Sequence, residues 1–378
     1  MKNKHSLISP SNFERRMLCP GSLFAEKDLP EQTSKYAAEG TMLHERTALY
    51  ISSLYMKTEK NSLWNIDLTE DQIEAVKHAG DYFNKLKDNP DLDVIVEFHE
   101  KKFTLEFIHL DMKGTVDSAL VLRNRKTKQL FLHIIDYKFG KGVAVDAYKN
   151  YQLLMYAMGV LWSRDLSNLT GRYVINAYVV NMHIVQPYIR NSNWEIKDIE
   201  LMEFLGSSAR AKYKRIAENC YDSDAKRIPD KKACQFCKAK PTCPALARLV
   251  PKLDTDVFDL EDDEIAAIYD NRDLIKMYLT SIEEHIRNKI STTGFDGYEL
   301  VPKMSNRKWT QEANKELPKI LGDDKAFEIT KKLITITGAE KLLDKETMNK
   351  LTIKEVSGDE IVKTEDKSIK IFENFNND

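Results

Sequence analysis

The sequence has 378 residues, of which 42% are hydrophobic, and its 57 lysine and arginine residues nearly balance 59 aspartate and glutamate residues. This length predicts a main globular body and one appended module. The net charge of −2 excludes attraction of a polyanion by overall charge, so a nucleic-acid site must be a local basic surface or a metal site. The sequence contains neither an apolar run that could span a bilayer nor a signal-peptide core, which predicts a cytoplasmic protein without membrane contacts.

Helices are predicted in the first ninety residues. Residues 11–14, S-x-x-E, have the form of a capping box, and the short helix that they open ends after Cys19, before Pro20-Gly21. Apolar spacing predicts further helices over about 34–57 and 69–87. These helices precede the sheet of the domain.

From Asp93 the pattern changes to that of strands. A turn is expected at 100–102, a helix over about 147–163, and a strand at 173–185. The strands that precede this helix are expected at 94–99, 103–110, 114–122 and 129–137. The order α-β-β-β-α-β predicts an α/β fold in which helices flank a mixed sheet.

The remainder is predicted to be mainly helical. Helices are expected over 201–220 and, from regularly spaced isoleucines, over about 265–290, with a strand at 298–301 and a charged helical tail from about Thr310. The last 15 or so residues are expected to fray. An acidic connector at 251–263 separates two predicted parts, a domain of residues 1–250 and a mostly helical accessory module of residues 251–378.

Side chains suited to phosphodiester hydrolysis fall on these elements. Asp117 and Asp136 lie on two consecutive predicted strands, and a hairpin between them brings both carboxylates to one divalent cation. Lys138 follows Asp136 by two residues and shares its face, where the ammonium can approach a water or a phosphate. His44, on the preceding helix, is a candidate third ligand. Together they predict a metal-dependent hydrolytic site.

The order of these residues resembles that of RecB-like PD-(D/E)XK nucleases. The resemblance covers about residues 9–245 and implies a restriction-endonuclease-like core that acts as a Mg²⁺- or Mn²⁺-dependent deoxyribonuclease. It rests on Gly114-x-x-Asp117, Asp136-x-Lys138, Gln152-x-x-x-Tyr156 and the upstream His44. The implied metal site comprises His44, Asp117, Asp136 and Tyr137, while Lys138 assists the water and Gln152 and Tyr156 support the site and the DNA. Asp136 stands where many members have glutamate, which changes the reach of that ligand.

The expected activity is exonucleolytic, on DNA ends or single strands. The alternative is a non-catalytic DNA-binding recombination accessory that keeps the fold for interaction and is stabilised by an iron–sulfur or zinc site. Cleavage of DNA in the presence of Mg²⁺ or Mn²⁺ discriminates between the two.

Three of the five cysteines form a C-x2-C-x5-C run at Cys234, Cys237 and Cys243, a strong indication of a metal site. The fourth ligand is Cys19 or Cys220, and zinc and a four-iron cluster both prefer four thiolates. An N-terminal cysteine far from such a run resembles the iron–sulfur staple of AddB-type helicase-nucleases and of CRISPR-adaptation nucleases. That resemblance implies a 4Fe-4S cluster on Cys19 and the three-cysteine run, and the alternative is a zinc site that uses Cys220.

Three further segments resemble a phage and prophage family known only as a domain of unknown function within the same superfamily. They are Ser9-Pro10-Ser11 with the segment 19–22, the segment 38–44 that ends at His44, and the segment 305–309. This resemblance implies a setting of phage replication or recombination, with proteins of those processes as partners.

Overall fold

The computed structural model describes residues 6–30, 35–56, 68–170, 177–250, 260, 262–304, 307–321, 326, 333, 335–340 and 342–363. The chain forms two compact units, residues 1–278 and 279–378. The predicted boundary after residue 250 adjoins 251–259, outside the described residues, and the assignment of a nuclease domain and an accessory module stays a prediction. Within the described ranges, no helix is both long and apolar enough to cross a membrane.

The first unit begins with helices. A 3-10 turn, Pro10–Asn12, leads into α1 (Phe13–Leu18), α2 (Ser22–Glu26), α3 (Lys35–Met56) and α4 (Glu70–Lys87). Helix α4 starts where predicted, because the Thr69 hydroxyl accepts a hydrogen bond from the main-chain N–H of Gln72. The capping box predicted for residues 11–14 is wrong, because the side chain of Asn12 accepts the N–H of Ser9 instead.

One five-stranded mixed sheet follows, in the order β1 (Leu92–Thr104), β2 (Lys113–Asn124), β3 (Leu130–Tyr137), β4 (Tyr178–Val185) and β5 (Ser192–Ile196). Strands β3 and β4 are parallel, and the other neighbours are antiparallel. The parallel pair is connected through α5 (Tyr151–Leu161) and α6 (Arg164–Thr170), as parallel strands require a crossover. The prediction of an α/β fold with a mixed sheet flanked by helices is confirmed.

Strand β1 replaces two predicted strands. Residues 100–102 do not form the expected turn, because Lys101 and its successors continue to pair with β2. The chain reverses over residues 105–112, where the N–H of Leu105 donates to the carbonyl of Met112. The predicted strand at 103–110 is therefore wrong beyond Thr104, and β5 is a strand that periodicity alone did not predict.

The sheet is buried on both faces. Alternate residues such as Val121 and Ile134 belong to a core that also contains the buried residues of α5, while Leu122 and Ile135 belong to a second core with residues of α3 and α4. Burial on both faces explains why the central strands read as nearly continuous apolar runs. Helix α5 starts at Tyr151, four residues later than predicted, because Asn150 caps it by accepting the N–H groups of residues 152 and 153.

Further helices follow in the chain: α7 (Asp198–Leu205), α8 (Ser207–Cys220), α9 (Lys231–Gln235), α10 (Pro244–Ala247), α11 (Asp262–Asp270) and α12 (Arg272–Thr292), the last of which includes the boundary between the two units. Each of the two long predicted helices is thus divided into two. The first breaks at Gly206, whose backbone is extended and approaches Met202 so closely that a Cβ would lie 2.3 Å from the Met202 carbonyl oxygen. The second break is at Asn271.

The second unit, by itself, contains two small antiparallel pairs, β6 (Tyr298–Met304) with β9 (Val356–Lys363) and β7 (Lys308–Trp309) with β8 (Thr352–Ile353). Its described helices are Ala313–Leu321, Ile336–Ala339 and Lys345–Leu351. The strand predicted at 298–301 is present, but the tail predicted from about Thr310 is not wholly helical, because β8 and β9 lie within it. Residues 364–378, expected to fray, lie outside the described residues.

Candidate functional site

The end of the β2–β3 hairpin places two aspartates side by side. The ladder pairs Ser118 with Ile135, so Asp117 and Asp136 occupy the next position on the two strands. By the two-residue period of a strand, Asp136 lies on the same face as Ile134, the face that packs against α5. The predicted convergence of the carboxylates therefore results from the antiparallel register.

Asp117 is held between α3 and β3. Nδ1 of His44 lies 3.3 Å from Oδ2 of Asp117, and the main-chain N–H of Tyr137 donates a 2.8 Å hydrogen bond to the same oxygen. Although burial by itself lowers the pKa of His44, the hydrogen bond and negative charge of Asp117 raise it above its ordinary value. The imidazole and the carboxylate are thus already oriented towards each other.

Asp136 lies at the centre of a second set of contacts. It is 1% exposed, Nζ of Lys138 lies 2.7 Å from its Oδ2, and Nε2 of Gln152 donates a 2.8 Å hydrogen bond to its Oδ1. The Gln152 amide also donates to the hydroxyl of Tyr156 at 3.2 Å, and Lys138 donates to Oε1 of Gln152 at 3.3 Å. The predicted one-turn spacing on α5 therefore places Gln152 and Tyr156 at the same carboxylate.

The charges of this buried pair depend on each other. Burial raises the pKa of Asp136, and the Lys138 ammonium opposes that shift. Burial would lower the pKa of Lys138, but Asp136 and Asp117 raise it above its ordinary value, so the ammonium persists at neutral pH. Oδ2 of Asp136 is buried and has the Lys138 ammonium as its counter-charge at 2.7 Å.

Glu100 is a member of the site that the sequence analysis did not identify. Ligand atoms of His44, Glu100 and Asp117 all lie within 4.8 Å of one another, the one such group of three among the described residues. Strand β1 pairs His99 with Ser118 and Lys101 with Val116, which places Glu100 opposite Asp117. Knowledge of the β1–β2 register would have identified Glu100. The turn predicted at 100–102 excluded that register.

The contacts described above join all seven predicted site residues: His44, Asp117, Asp136, Tyr137, Lys138, Gln152 and Tyr156. Tyr137 differs from the others because its phenol is buried and donates to Oγ of Ser118, in the second core, so only its main chain approaches Asp117. Only the main chain of Tyr137 is therefore placed to contact a cation next to Asp117. The assignment of functions to these seven residues stays a prediction.

Gly114 of the predicted Gly-x-x-Asp segment has a steric role. A Cβ at this position would lie 2.7 Å from Cγ of Pro10 and 3.2 Å from Cε1 of Tyr156. The N-terminal 3-10 turn and the aromatic ring next to the site both pack against the bare backbone there. The Gly-x-x-Asp segment thus places a closely packed glycine three residues before a carboxylate of the site.

Four cysteines line one cavity: Cys19, Cys234, Cys237 and Cys243. Cys19 directly follows α1, and its Sγ accepts a hydrogen bond from the N–H of Ile228 at 3.2 Å. The approach of the two chain segments requires a glycine at position 21, where a Cβ would lie 2.4 Å from the carbonyl oxygen of Ala225. Burial raises the pKa of Cys19 and Cys234 and raises that of Cys237 to about 12. Positive charge is therefore needed to hold these sulfurs as thiolates.

Cys220 does not line this cavity. It is fully buried at the end of α8, and its thiol donates to the carbonyl oxygens of Ile216 and Arg16. Among the described residues, the cysteine sulfurs form no group of three within 4.8 Å of one another. Thiolates around one tetrahedral zinc ion lie about 3.8 Å apart, so the cavity has a wider spacing than a zinc site requires.

A buried carboxylate connects the cavity to the N-terminal helices. Glu26 accepts hydrogen bonds from Arg15 and Arg16 at 2.8 and 2.7 Å and from the main-chain N–H of Lys238, next to Cys237, at 2.8 Å. Burial alone would raise the pKa of Glu26, but the two guanidinium groups hold it below its ordinary value. This arrangement fixes the position of the chain around Cys237.

Comparison with known proteins gives a family match over nearly the whole chain. A family model described as "Protein of unknown function (DUF2800)" matches residues 5–372. The crystal structure of SSO0001 is similar at 14% identity and a TM-score of 0.24, covering 62% of this chain and 94% of that chain. A candidate exonuclease from Eubacterium rectale is similar at 10% identity and a TM-score of 0.32, covering 68% and 93%. TM-scores below 0.5 do not establish a common fold.

Proposed function

The chain belongs to the DUF2800 family of proteins of unknown function, and we propose that it is a PD-(D/E)XK-type, metal-dependent nuclease that hydrolyses phosphodiester bonds in DNA. The observation that carries the proposal is the meeting of His44, Asp117, Asp136 and Lys138 at one end of the β2–β3 hairpin. An imidazole, two carboxylates and an ammonium at one place are the groups that metal-assisted phosphodiester hydrolysis needs.

The donor set fits a hard divalent cation. His44, Asp117 and Asp136 would hold Mg²⁺ or Mn²⁺, with the main chain of Tyr137 as a further contributor. The ligand atoms of His44 and Asp117, which lie within 4.8 Å of each other, support this fit. When bound, the ion supplies positive charge at the phosphate and makes a water more acidic. His44 must be neutral to ligate, so acid opposes binding.

Lys138 acts as a fixed positive charge in this proposal. Its raised pKa keeps the ammonium protonated at neutral pH, so it orients the attacking water and stabilises negative charge at the phosphate instead of removing a proton. Gln152 keeps Lys138 and Asp136 in place by hydrogen-bonding to both. Tyr156 supports the amide of Gln152.

In the proposed function the cysteine cavity has a structural role. We propose that Cys19, Cys234, Cys237 and Cys243 hold a 4Fe-4S cluster, which would tie α1 to the chain around residue 237 and close a loop of more than 200 residues. The lining of one cavity by these four cysteines, with Cys220 outside it, supports a site of four thiolates. We also propose that the nuclease acts as an exonuclease on DNA ends or single strands, in phage replication or recombination.

Cleavage of end-labelled single- and double-stranded DNA with Mg²⁺ or Mn²⁺ tests the activity. Asp117→Asn and Lys138→Met should each lower the rate by at least about 100-fold. Asp88→Asn, which changes an exposed aspartate at the end of α4, should cut as the parent does. Binding of DNA without cleavage in either cation would support the non-catalytic accessory instead, and a circular single strand separates exonuclease from endonuclease.

Iron and acid-labile sulfide analysis of anaerobically purified protein tests the cluster. Cys19→Ser should lose the brown colour and most of the iron, whereas Cys220→Ser should keep both, because Cys220 lies outside the cavity. Colourless protein with one equivalent of zinc would refute the four-iron cluster.

A further inference from the structure

Glu100 lies on β1 directly across from Asp117, on a strand to which no function has been assigned. Resting on the proposed function, we infer that Glu100 is a further ligand of the divalent cation, so that three neighbouring strands and α3 all contribute to one metal site. A cation at this place would contact a carboxylate oxygen of Glu100 together with the ligand atoms of His44 and Asp117, which lie within 4.8 Å of it.

The charge around Glu100 favours a cation. Carboxylate oxygens of Glu100 and Asp117 lie within 4.8 Å of each other, and two negative charges this close repel each other. Asp117 is satisfied by the N–H of Tyr137 and by His44, whereas the side chain of Glu100 forms no hydrogen bond or ion pair within the part of the chain that the structure describes. A hard divalent cation relieves this repulsion, because carboxylate oxygens are its preferred ligands.

The neighbouring acids differ from Glu100. Glu97, on the same strand, is paired with Nζ of Lys87 at 3.0 Å and is therefore already neutralised. Glu45 is exposed on α3, close enough to affect Glu100 electrostatically but outside the group of ligand atoms. Glu100 is the acid that combines proximity to Asp117 and His44 with an uncommitted carboxylate.

Asp136, on the neighbouring strand β3, contrasts with Glu100. Its Oδ2 is buried and lies 2.7 Å from Nζ of Lys138, so its negative charge is already shared with that ammonium. The backbone of Glu100 is left-handed, with φ of 47°, while the residues on both sides of it keep their pairing with β2. The ladder therefore continues on both sides of Glu100, which lies within β1.

Manganese binding by the full chain without DNA tests this inference. The electron paramagnetic resonance signal of free aqueous Mn²⁺ measures the bound fraction, independently of any cleavage. Glu100→Gln should weaken binding by about tenfold or more, as loss of a ligand does. The matched control Glu45→Gln removes a nearby exposed charge without removing a ligand and should change the affinity by about threefold or less.

Two further variants separate the possible failures. Glu100→Asn also removes the ligand charge and suits the left-handed backbone, so it replaces Glu100→Gln if circular dichroism finds that variant misfolded. If Asp117→Asn loses Mn²⁺ while both Glu100 variants bind as tightly as Glu45→Gln, the role of Glu100 is overturned and the proposed function stands. If the parent protein binds no Mn²⁺, the proposed function fails and this inference fails with it.

Discussion

The main-chain N–H of Tyr137 donates to the same Asp117 oxygen that faces Nδ1 of His44. One carboxylate oxygen is thereby held by β3 and faces α3, although the residue itself belongs to β2. The orientation of the aspartate is fixed by backbone pairing and not by a flexible neighbour. Such fixed ligands lower the cost of ordering the site when a cation arrives.

The pairing of Lys138 with Asp136 should be visible in stability. Lys138→Met leaves a buried carboxylate without its counter-charge and should lower the free energy of unfolding by about 3–5 kcal/mol. The double variant Asp136→Asn with Lys138→Met should recover most of that loss in urea unfolding. Lys101→Met, which breaks the exposed pair with Asp165, should cost about 1 kcal/mol or less. Equal losses in the single and double variants would contradict the pairing.

Gly114 should tolerate no side chain. Gly114→Ala places a Cβ against Pro10 and Tyr156 and should cost about 1–3 kcal/mol of stability through overpacking, with slower cleavage because Tyr156 must move. Gly142→Ala is the control, since a Cβ there meets nothing within 4 Å, and it should stay within about 0.5 kcal/mol of the parent. Thermal unfolding of both variants gives the comparison, and equal melting temperatures would refute the steric role.

Glu26 should stabilise the region around the cysteine cavity. Glu26→Gln removes the negative charge that faces Arg15 and the buried Arg16 and should lower the free energy of unfolding by about 3 kcal/mol or more. The change should also speed the loss of colour on exposure to air, because Lys238 beside Cys237 loses a charged acceptor. The exposed Glu106→Gln should alter neither property. Unchanged stability in Glu26→Gln would contradict this role.

The buried His183 and the half-buried His133 should make the first unit acid-sensitive. Nδ1 of His133 lies 3.0 Å from Nε2 of His183, and burial lowers the pKa of His133 to about 4 and that of His183 to about 3. Because the unfolded chain binds protons near pH 6.5 and the folded chain does not, their stabilising contribution is complete above pH 6.5. It is lost as pH falls from there towards 4, at up to about 1.4 kcal/mol per pH unit for each histidine.

Urea midpoints at pH 7.5 and pH 5.5 measure this effect. The difference between the two midpoints should be smaller in His133→Gln than in the parent, because one proton-binding group is removed from the unfolded state. His78→Gln changes an exposed histidine and should leave the difference unaltered. An unchanged difference in His133→Gln would exclude this source of acid sensitivity.

The sequence predicted the order of the core elements and the positions of Asp117, Asp136 and Lys138, because strand periodicity and hairpin pairing are local properties. Glu100 could not be predicted in the same way. Its place opposite Asp117 depends on where β1 reverses, and the polar residues 100–102 gave a false turn signal within a continuous strand. A register error of a few residues moves a side chain to another part of the sheet.

The helix breaks and the choice of the fourth cysteine also depend on tertiary contacts that the sequence pattern does not give. The apolar period continues across Gly206, but the close approach to the Met202 carbonyl that divides α7 from α8 is a tertiary property of the backbone. Spacing left Cys19 and Cys220 as equal candidates for the cavity. Only packing distinguishes them, since Cys220 turns its thiol to the main chain of Ile216 and Arg16.

The contact between Ile228 and Cys19 has a consequence for how the protein is made. A ribosome adds roughly 5–20 residues per second, so roughly 10–40 s separate the synthesis of α1 from that of its packing partners in α8 and α9. During this interval Arg16 and Glu26 remain in water, and the nascent chain has no closed core around them. Helix α1 therefore leaves the ribosome well before the segments that complete its packing.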